Sequence, residues 1–285
     1  MNPLLTDALH SWDVDHAVVW FLPIVAHAYL RGFSRVHVQM PVRFPLWRLA
    51  SFIGGLLVVF VAVASPLDAL GELLLSLHMT QHMLLIMVAP PLLWLGQPFI
   101  PLLRASPPRP TKRALARLLT IPVLCSAGDG LTHPVVCWIA LAATTIVWHL
   151  PALYELALHS EAWHDVQHAC FFTAALLFWW PVVRVWPSRD RWPRWAAIPY
   201  LVGADLINTA LSATLSFSNH VLYATYASVP RVTSLSPLDD QSLAGVIMWV
   251  PGSIAFLLPA IVLTMQLVQP RARRALIESP SWTSQ

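Results

Sequence analysis

Seven apolar stretches in this chain are each long enough to cross about 30 Å of hydrocarbon at about 1.5 Å per residue, and nearly all basic residues fall in alternate connections between them. The stretches lie near 16–33, 46–65, 70–95, 134–153, 163–183, 195–217 and 240–268. The first, third and fifth connections and the C-terminal tail hold Arg31, Arg35, Arg43 and Arg48; Arg104, Arg109, Lys112, Arg113 and Arg117; Arg184, Arg189, Arg191 and Arg194; and Arg271, Arg273 and Arg274. These are sixteen of the 17 basic residues. The other tail and connections hold Arg231 alone, with Asp7, Asp13, Asp15, Asp68, Glu155, Glu161 and Asp239. Basic connections stay in the cytoplasm. The expected fold is therefore an all-α integral membrane protein, a bundle of about seven transmembrane helices with its N-terminus outside and its C-terminus cytoplasmic. An error of one helix would spoil the alternation, so the charges also support the count.

Composition agrees. Only 11% of residues are charged and 57% are hydrophobic, whereas a soluble domain carries about 25% charged residues. Fourteen tryptophans suit interfacial belts. Cys125, Cys137 and Cys170 are odd in number and widely spaced, so no disulfide framework follows. The opening MNPLLTDALHSWDVD is acidic and has no basic region, so the first apolar helix is expected to stay in the protein. Residues 1–270 read as one transmembrane domain and 271–285 as a short cytoplasmic tail. The long connection 96–133 is rich in proline, and KRALARLLTI within it reads either as a short amphipathic helix on the inner leaflet or as a solvated loop. No connection is long enough for a soluble enzyme domain, and nothing points to nucleic acid.

Chemistry concentrates in the histidines. The third stretch contains His78-Met-Thr-Gln81-His82 and the fifth His164-Asp-Val-Gln167-His168; both read H-x-x-Q-H, 86 residues apart. A spacing of four places both imidazoles on one helical face, about 6 Å apart. Both helices are expected to run inward from the outer face. Counting about 1.5 Å per residue from the expected starts puts His78 about 12 Å deep, His82 about 18 Å, His164 about 5 Å and His168 about 10 Å. His149 closes the fourth stretch at the same rim, and Met248 lies about 12 Å down the seventh. Residues from four helices could converge in the outer half of the membrane.

Ionisable groups inside a bilayer usually mark ion, proton, substrate or metal sites. Imidazole suits copper, zinc and iron, and thioether sulfur favours Cu(I). The candidate metal ligands are His78, His82, His164, His168, His149 and Met248. Gln81 and Gln167, with Asp165 and Asp240 at the rim, could bond the non-ligating ring nitrogens and fix the tautomer. Each residue also has a plainer reading. Membrane histidines often serve as interhelical hydrogen-bond partners, His149 suits the headgroup region, and Met248, like Met79, Met83 and Met87, fits core packing. Cys170 lies on a different helical face from His168. Near the midplane, Asp205 and His27 could pair with each other, or Asp205 could bond Asn208 or a tryptophan N–H.

The segments HMTQHMLLIMVAPPLLWLGQP, WHLPALYELAL, HDVQHACFFTAALLFWWPV and SLSPLDDQSLAGVIMWVPG together resemble the CtaG-type cytochrome c oxidase assembly proteins of bacteria. The resemblance runs from about the first stretch to Val268. Position by position it covers His78, His82, His149, His164, His168, Asp240, Gln241, Met248 and Trp249. It implies a multi-pass protein of the bacterial cytoplasmic membrane that matures haem–copper oxidases of the respiratory chain by supplying copper to the CuB centre of subunit I. Domains of this family also occur beside copper-resistance modules. The expected role is a metallochaperone rather than an enzyme. It would hold copper as Cu(I), take it from the outer side or from other copper chaperones there, and pass it to cytochrome c oxidase subunit I. Rivals are a b-type haem protein with axial histidines, a copper or proton transporter using Asp205 and His27, and, last, a zinc hydrolase, for which the chain has no H-E-x-x-H.

Overall fold

Proline marks where several helices begin. Pro45 stands at an N-cap, Pro122, Pro134 and Pro151 in first turns, and Pro237 opens the last helix; at those positions the missing N–H breaks no helical bond. The computed structural model describes residues 3–13, 17–105, 121–186 and 192–268. The segment KRALARLLTI, all but its last residue, and the tail 271–285 lie outside the described residues.

The helices are α1 (Pro3–His10), α2 (Ala17–Gln39), α3 (Leu46–Ala64), α4 (Leu67–Leu73), α5 (Leu75–Met83), α6 (Ala89–Leu95), α7 (Phe99–Ala105), α8 (Pro122–Leu131), α9 (Pro134–Trp148), α10 (Pro151–Leu158), α11 (Glu161–Val183), α12 (Ala197–Phe217), α13 (Ala224–Ser228) and α14 (Pro237–Val268). A π turn, Leu84–Val88, joins α5 to α6, and a 3₁₀ turn, Arg194–Ala196, leads into α12. Among the described residues there is no strand. Four helices, Leu46–Ala64, Glu161–Val183, Arg194–Phe217 and Pro237–Val268, are long and apolar enough to cross a membrane. Two bent pairs, Leu75–Leu95 with Phe99–Ala105 and Cys125–Leu131 with Pro134–Trp148, bring the number to six if each is one span. The α2 helix, where the first of the seven stretches falls, has 23 residues but carries His27, Arg31, Arg35 and His37.

The third stretch is not one straight helix. Leu74 is extended (φ −136°, ψ 119°) and separates α4 from α5. The π turn has its own cause. Pro90 and Pro91 lack the N–H groups that an α-helix would return to the carbonyls four residues earlier. Trp179 Nε1 from α11 donates instead to the Ile86 carbonyl at 2.9 Å. The same helix pair is tied by Trp94 Nε1 to the Leu176 carbonyl at 2.8 Å.

Helices α12 and α14 pack closely because glycine faces the contact. A Cβ at Gly245 would fall on Ser216 Oγ, 2.7 Å from the Ser216 nitrogen, and one at Gly252 would lie 2.5 Å from Asn208 Nδ2. Small residues at this seam let two membrane helices approach, and polar side chains then bond across it. Asn208 Nδ2 donates to the Met248 carbonyl at 3.0 Å, and Ser253 Oγ donates to Asp205 Oδ1 at 2.8 Å. Asp205 is thus held by Ser253, while His27 lies exposed on α2; the pairing of Asp205 with His27 is not made.

The two ends of the bundle differ in chemistry. At one end meet Arg48, Gly96, Gln97 and Trp186, joined by Tyr29 Oη to the Gly96 carbonyl (2.7 Å) and Trp186 N to Gln97 Oε1 (3.0 Å). At the other end lie α4, the N-termini of α5, α11 and α14, and the connection 218–236 between α12 and α14.

Candidate metal centre

The first turns of α5 and α11 bring the two histidine pairs together. His78 is the fourth residue of α5 and His164 the fourth of α11, with His82 and His168 one turn further on. The break at Leu74 corrects the expected depths. Both motifs start about 5 Å below the beginning of their helices, rather than the first lying about 12 Å down a helix begun at residue 70. His78, His82 and His168 are buried. The His78 and His82 rings are 4.4 Å apart, His78 and His164 5.2 Å, His82 and His168 5.3 Å, and His164 and His168 4.1 Å. One nitrogen from each of His78, His82 and His168 falls within 4.8 Å of the others, and so do ligand atoms of Asp68, His164 and His168. His168 belongs to both groups.

Asp240 explains why α5 starts where it does. Its buried carboxylate accepts from Leu75 N (2.7 Å), Ser76 N (3.3 Å) and Ser76 Oγ (2.5 Å). It is therefore the N-terminal anchor of the helix that carries His78 and His82, and it bonds no imidazole. Gln81 also differs from its expected role. Its Nε2 donates to the Ala62 carbonyl (2.8 Å) and to Asp68 Oδ1 (2.5 Å), so it ties α4 to α5 and holds no ring nitrogen. Gln167 is buried beside His78 without completing a hydrogen bond. Asp165 is exposed on α11.

The hydrogen bonds of Tyr226 set the tautomer of His78. Tyr226 Oη lies 2.8 Å from the Gly71 carbonyl and 3.2 Å from His78 Nδ1. A phenol has one proton and a carbonyl can only accept. The Tyr226 proton goes to Gly71, so His78 Nδ1–H donates to the phenol oxygen and His78 Nε2 keeps its lone pair. That Nε2 lies 3.0 Å from His82 Nε2. A first-row ion bound at about 2.0–2.1 Å by both, at a tetrahedral angle, needs them about 3.3 Å apart. The pair fits an ion after a shift of a few tenths of an ångström.

Several buried polar atoms here have no hydrogen-bond partner: His82 Nδ1, His149 Nε2, Gln81 Oε1 and both amide atoms of Gln167. Burying such groups unpaired is costly, and their concentration around one spot suits a polar or charged guest. His149 caps α9 and is buried, with Nδ1 bonded to the Thr145 carbonyl at 2.7 Å. Its ring lies 6.1 Å from that of Phe171 and 6.4 Å from that of Tyr154, and these two rings lie against His82 and His78 respectively. Met248 packs in the apolar core with Met83, Phe171 and Phe256.

A tyrosine layer closes this end. Tyr154 and Tyr223 stack at 3.9 Å, and Tyr154, Tyr223 and Tyr226 are all fully buried. The connection that supplies two of them is clamped by Gln241, which accepts from Leu222 N (2.7 Å) and donates to the Leu215 and His220 carbonyls. Glu155 accepts from Thr225 N and Oγ1, and Arg231 donates to the Tyr226 carbonyl. Asp68 and Tyr226 were not singled out from the sequence. Asp68 sits ten residues before His78 and across the break at Leu74, and Tyr226 comes from a loop with no pattern of its own.

The chain is similar, at 25% identity over 275 residues, to an uncharacterised protein of Mycobacterium bovis and to one of Mycobacterium tuberculosis; each alignment covers 95% of this chain and 41% of the relative. An uncharacterised protein of Mycobacterium leprae is 24% identical over 92% of this chain and 40% of its own length. The chain thus spans about two-fifths of these curated relatives. No solved structure matches it. The model of the cytochrome c oxidase caa3 assembly factor family matches residues 27–270, most of the chain and every residue of the histidine cluster, and the protein belongs to that family.

Proposed function

We propose that this protein carries Cu(I) to a haem–copper oxidase, holding it between α5 and α11 and passing it to the CuB centre of subunit I. The observation that carries this reading is the convergence of His78, His82 and His168 nitrogens within 4.8 Å in a buried site. Imidazole is a ligand for copper, and membership of an oxidase assembly family supplies a destination for the metal. Copper is here a cargo, so binding should be weak enough for release. The protein is a metallochaperone with no catalytic step of its own. The bundle would have seven spans in the cytoplasmic membrane, with α2 as the first, the histidine end outside and the arginine end in the cytoplasm, as the charge alternation requires. The ion would then be taken up from the outer side, directly or from another chaperone.

The direct contact of His78 and His82, 3.0 Å between their Nε2 atoms, favours a shared small ion over the rival reading of a haem held by histidines of different helices. A transmembrane path through Asp205 and His27 lacks support, since the two do not meet. The test is copper stoichiometry of protein purified in detergent without chelator, with competition by a Cu(I) chelator. His78→Ala and His168→Ala should each lower bound Cu(I) while the thermal melt stays cooperative. If both variants hold as much copper as the parent, the reading fails.

A further inference from the structure

We propose that the arginine end of the bundle holds a binding site for the phosphate of an anionic phospholipid headgroup. A cavity of about 400 Å³ opens there, and Arg43, Arg48, Arg184 and Arg194 all line it. They come from three separate places in the chain: the start of α3 with the turn before it, the C-cap of α11, and the 3₁₀ turn before α12. Among the described residues, none that lines the cavity is acidic. Four guanidinium groups facing one space repel each other, and an anion is what removes that repulsion. The planar fork of arginine matches phosphate oxygens two at a time.

The site is built rather than incidental. The Arg48 guanidinium is held 4.8 Å from the Trp47 ring and donates through Nη1 to the Leu95 carbonyl at 3.0 Å, while its Nε is buried without a partner. Two non-glycine residues among those described have positive φ, Gln97 (50°) and Arg184 (55°), and both line this cavity. Side chains disfavour that region, and such strain concentrates at sites that bind. Trp186 N donates to Gln97 Oε1, joining the two strained corners.

The surroundings point to a lipid rather than to a free anion. Phe44, Ile100 and Trp186 complete the wall, and Val42, 95% exposed, immediately precedes Arg43. Trp47, Trp186 and Trp195 are exposed at the same end, as in the aromatic belt at headgroup depth. Basic pockets between spans on the cytoplasmic side recognise anionic headgroups. This site stands apart from the histidine cluster, and its test does not depend on copper.

The experiment titrates purified protein in detergent with phosphatidylglycerol, phosphatidylcholine and inorganic phosphate in turn, following the melting temperature and lipid retention by native mass spectrometry. Phosphatidylglycerol should raise the melting temperature and stay bound, and phosphatidylcholine should do neither. The double variant R48Q/R184Q should bind phosphatidylglycerol at least tenfold more weakly, and R31Q, outside the cavity, should bind as the parent does. If the glutamine pair does not fold, R48K/R184K keeps the charge, loses the forks and should still weaken binding. Equal response to the two lipids, or an unchanged affinity in the cavity variants, overturns the site. Inorganic phosphate binding as tightly as phosphatidylglycerol overturns the lipid as its occupant.

Discussion

The carboxylate of Asp240 reaches across from α14 to Ser76, 2.5 Å from its Oγ, and so fixes the first turn of the helix that carries His78 and His82. Three donors converge on that one side chain, two of them backbone N–H groups that an α-helix leaves without partners at its start. The relation makes the position of the candidate ligands depend on a residue 164 positions beyond Ser76 in sequence.

Asp240→Ala should therefore be a strong stability variant. Loss of a capping side chain costs about 0.5–2 kcal/mol, and the donors left unpaired in a buried place add about 1–3 kcal/mol. Asp240→Asn keeps one acceptor oxygen and should lose less. Thermal melts in detergent, with copper stoichiometry on each variant, check this; a melting temperature for Asp240→Ala equal to the parent's would rule out the capping role.

Tyr226→Phe tests the tautomer argument. Without the phenol oxygen, His78 Nδ1 loses the acceptor that keeps Nε2 ready for an ion. Partners of this kind are worth about 10–100-fold in metal affinity. Competition with a Cu(I) chelator should show a loss in that range, with a modest fall in melting temperature from the lost bond to the Gly71 carbonyl. A variant that binds as tightly as the parent shows that Tyr226 only packs.

Two glycines give opposite expectations. At Gly245 a Cβ meets backbone and side chain of α12, and overpacking of this kind costs about 1–3 kcal/mol. At Gly54 in α3 a Cβ would meet nothing within 4 Å, and alanine is the better helix former. Gly245→Ala should lower the melting temperature, and Gly54→Ala should leave it unchanged or raise it. A melting temperature for Gly245→Ala at or above the parent's would mean that the α12–α14 contact is looser than described.

Much of this was legible beforehand, and the reasons are local. A four-residue spacing puts His78 beside His82 on any helix, and apolar runs marked the long helices α3, α11, α12 and α14. The extended Leu74 was not legible, because it is the middle of three leucines, Leu73–Leu75, with neither glycine nor proline at the break itself. What breaks the helix is Asp240, a long-range contact. The repeated motif was also misleading in one respect: Gln81 and Gln167 occupy the same place in it, yet Gln81 faces Asp68 and α3 while Gln167 lies beside His78. Sequence echo fixed the histidines because their neighbours are one turn away. It could not fix the glutamines, whose partners come from other helices.

Orientation can be read directly. In a background with the three native cysteines replaced, a cysteine at Glu161 should react with an impermeant thiol reagent added outside intact cells, and one at Val42 should not; both positions are exposed. Labelling of the Val42 site alone would invert the bundle and with it the direction from which the metal arrives.

The last prediction follows from the position of His168 in both ligand groups. Asp68 and His164 are half-buried, whereas His78 and His82 are buried, and His168 joins the two sets. If one ion is received at the first set and retained at the second, the variants should separate by kinetics. Asp68→Asn keeps an oxygen to accept from Gln81 Nε2, so the α4–α5 tie survives and retention should be near that of the parent, with slower loading. His82→Ala should load normally and release faster. His168→Ala should impair both. Residues that share one ion couple, so His78→Ala combined with His168→Ala should lose much less than the sum of the single effects. Stopped-flow exchange with a Cu(I) chelator, run in both directions, measures loading and release separately. Equal loading rates for Asp68→Asn and the parent would remove Asp68 from the path, and strictly additive losses in the double variant would mean that His78 and His168 do not share an ion.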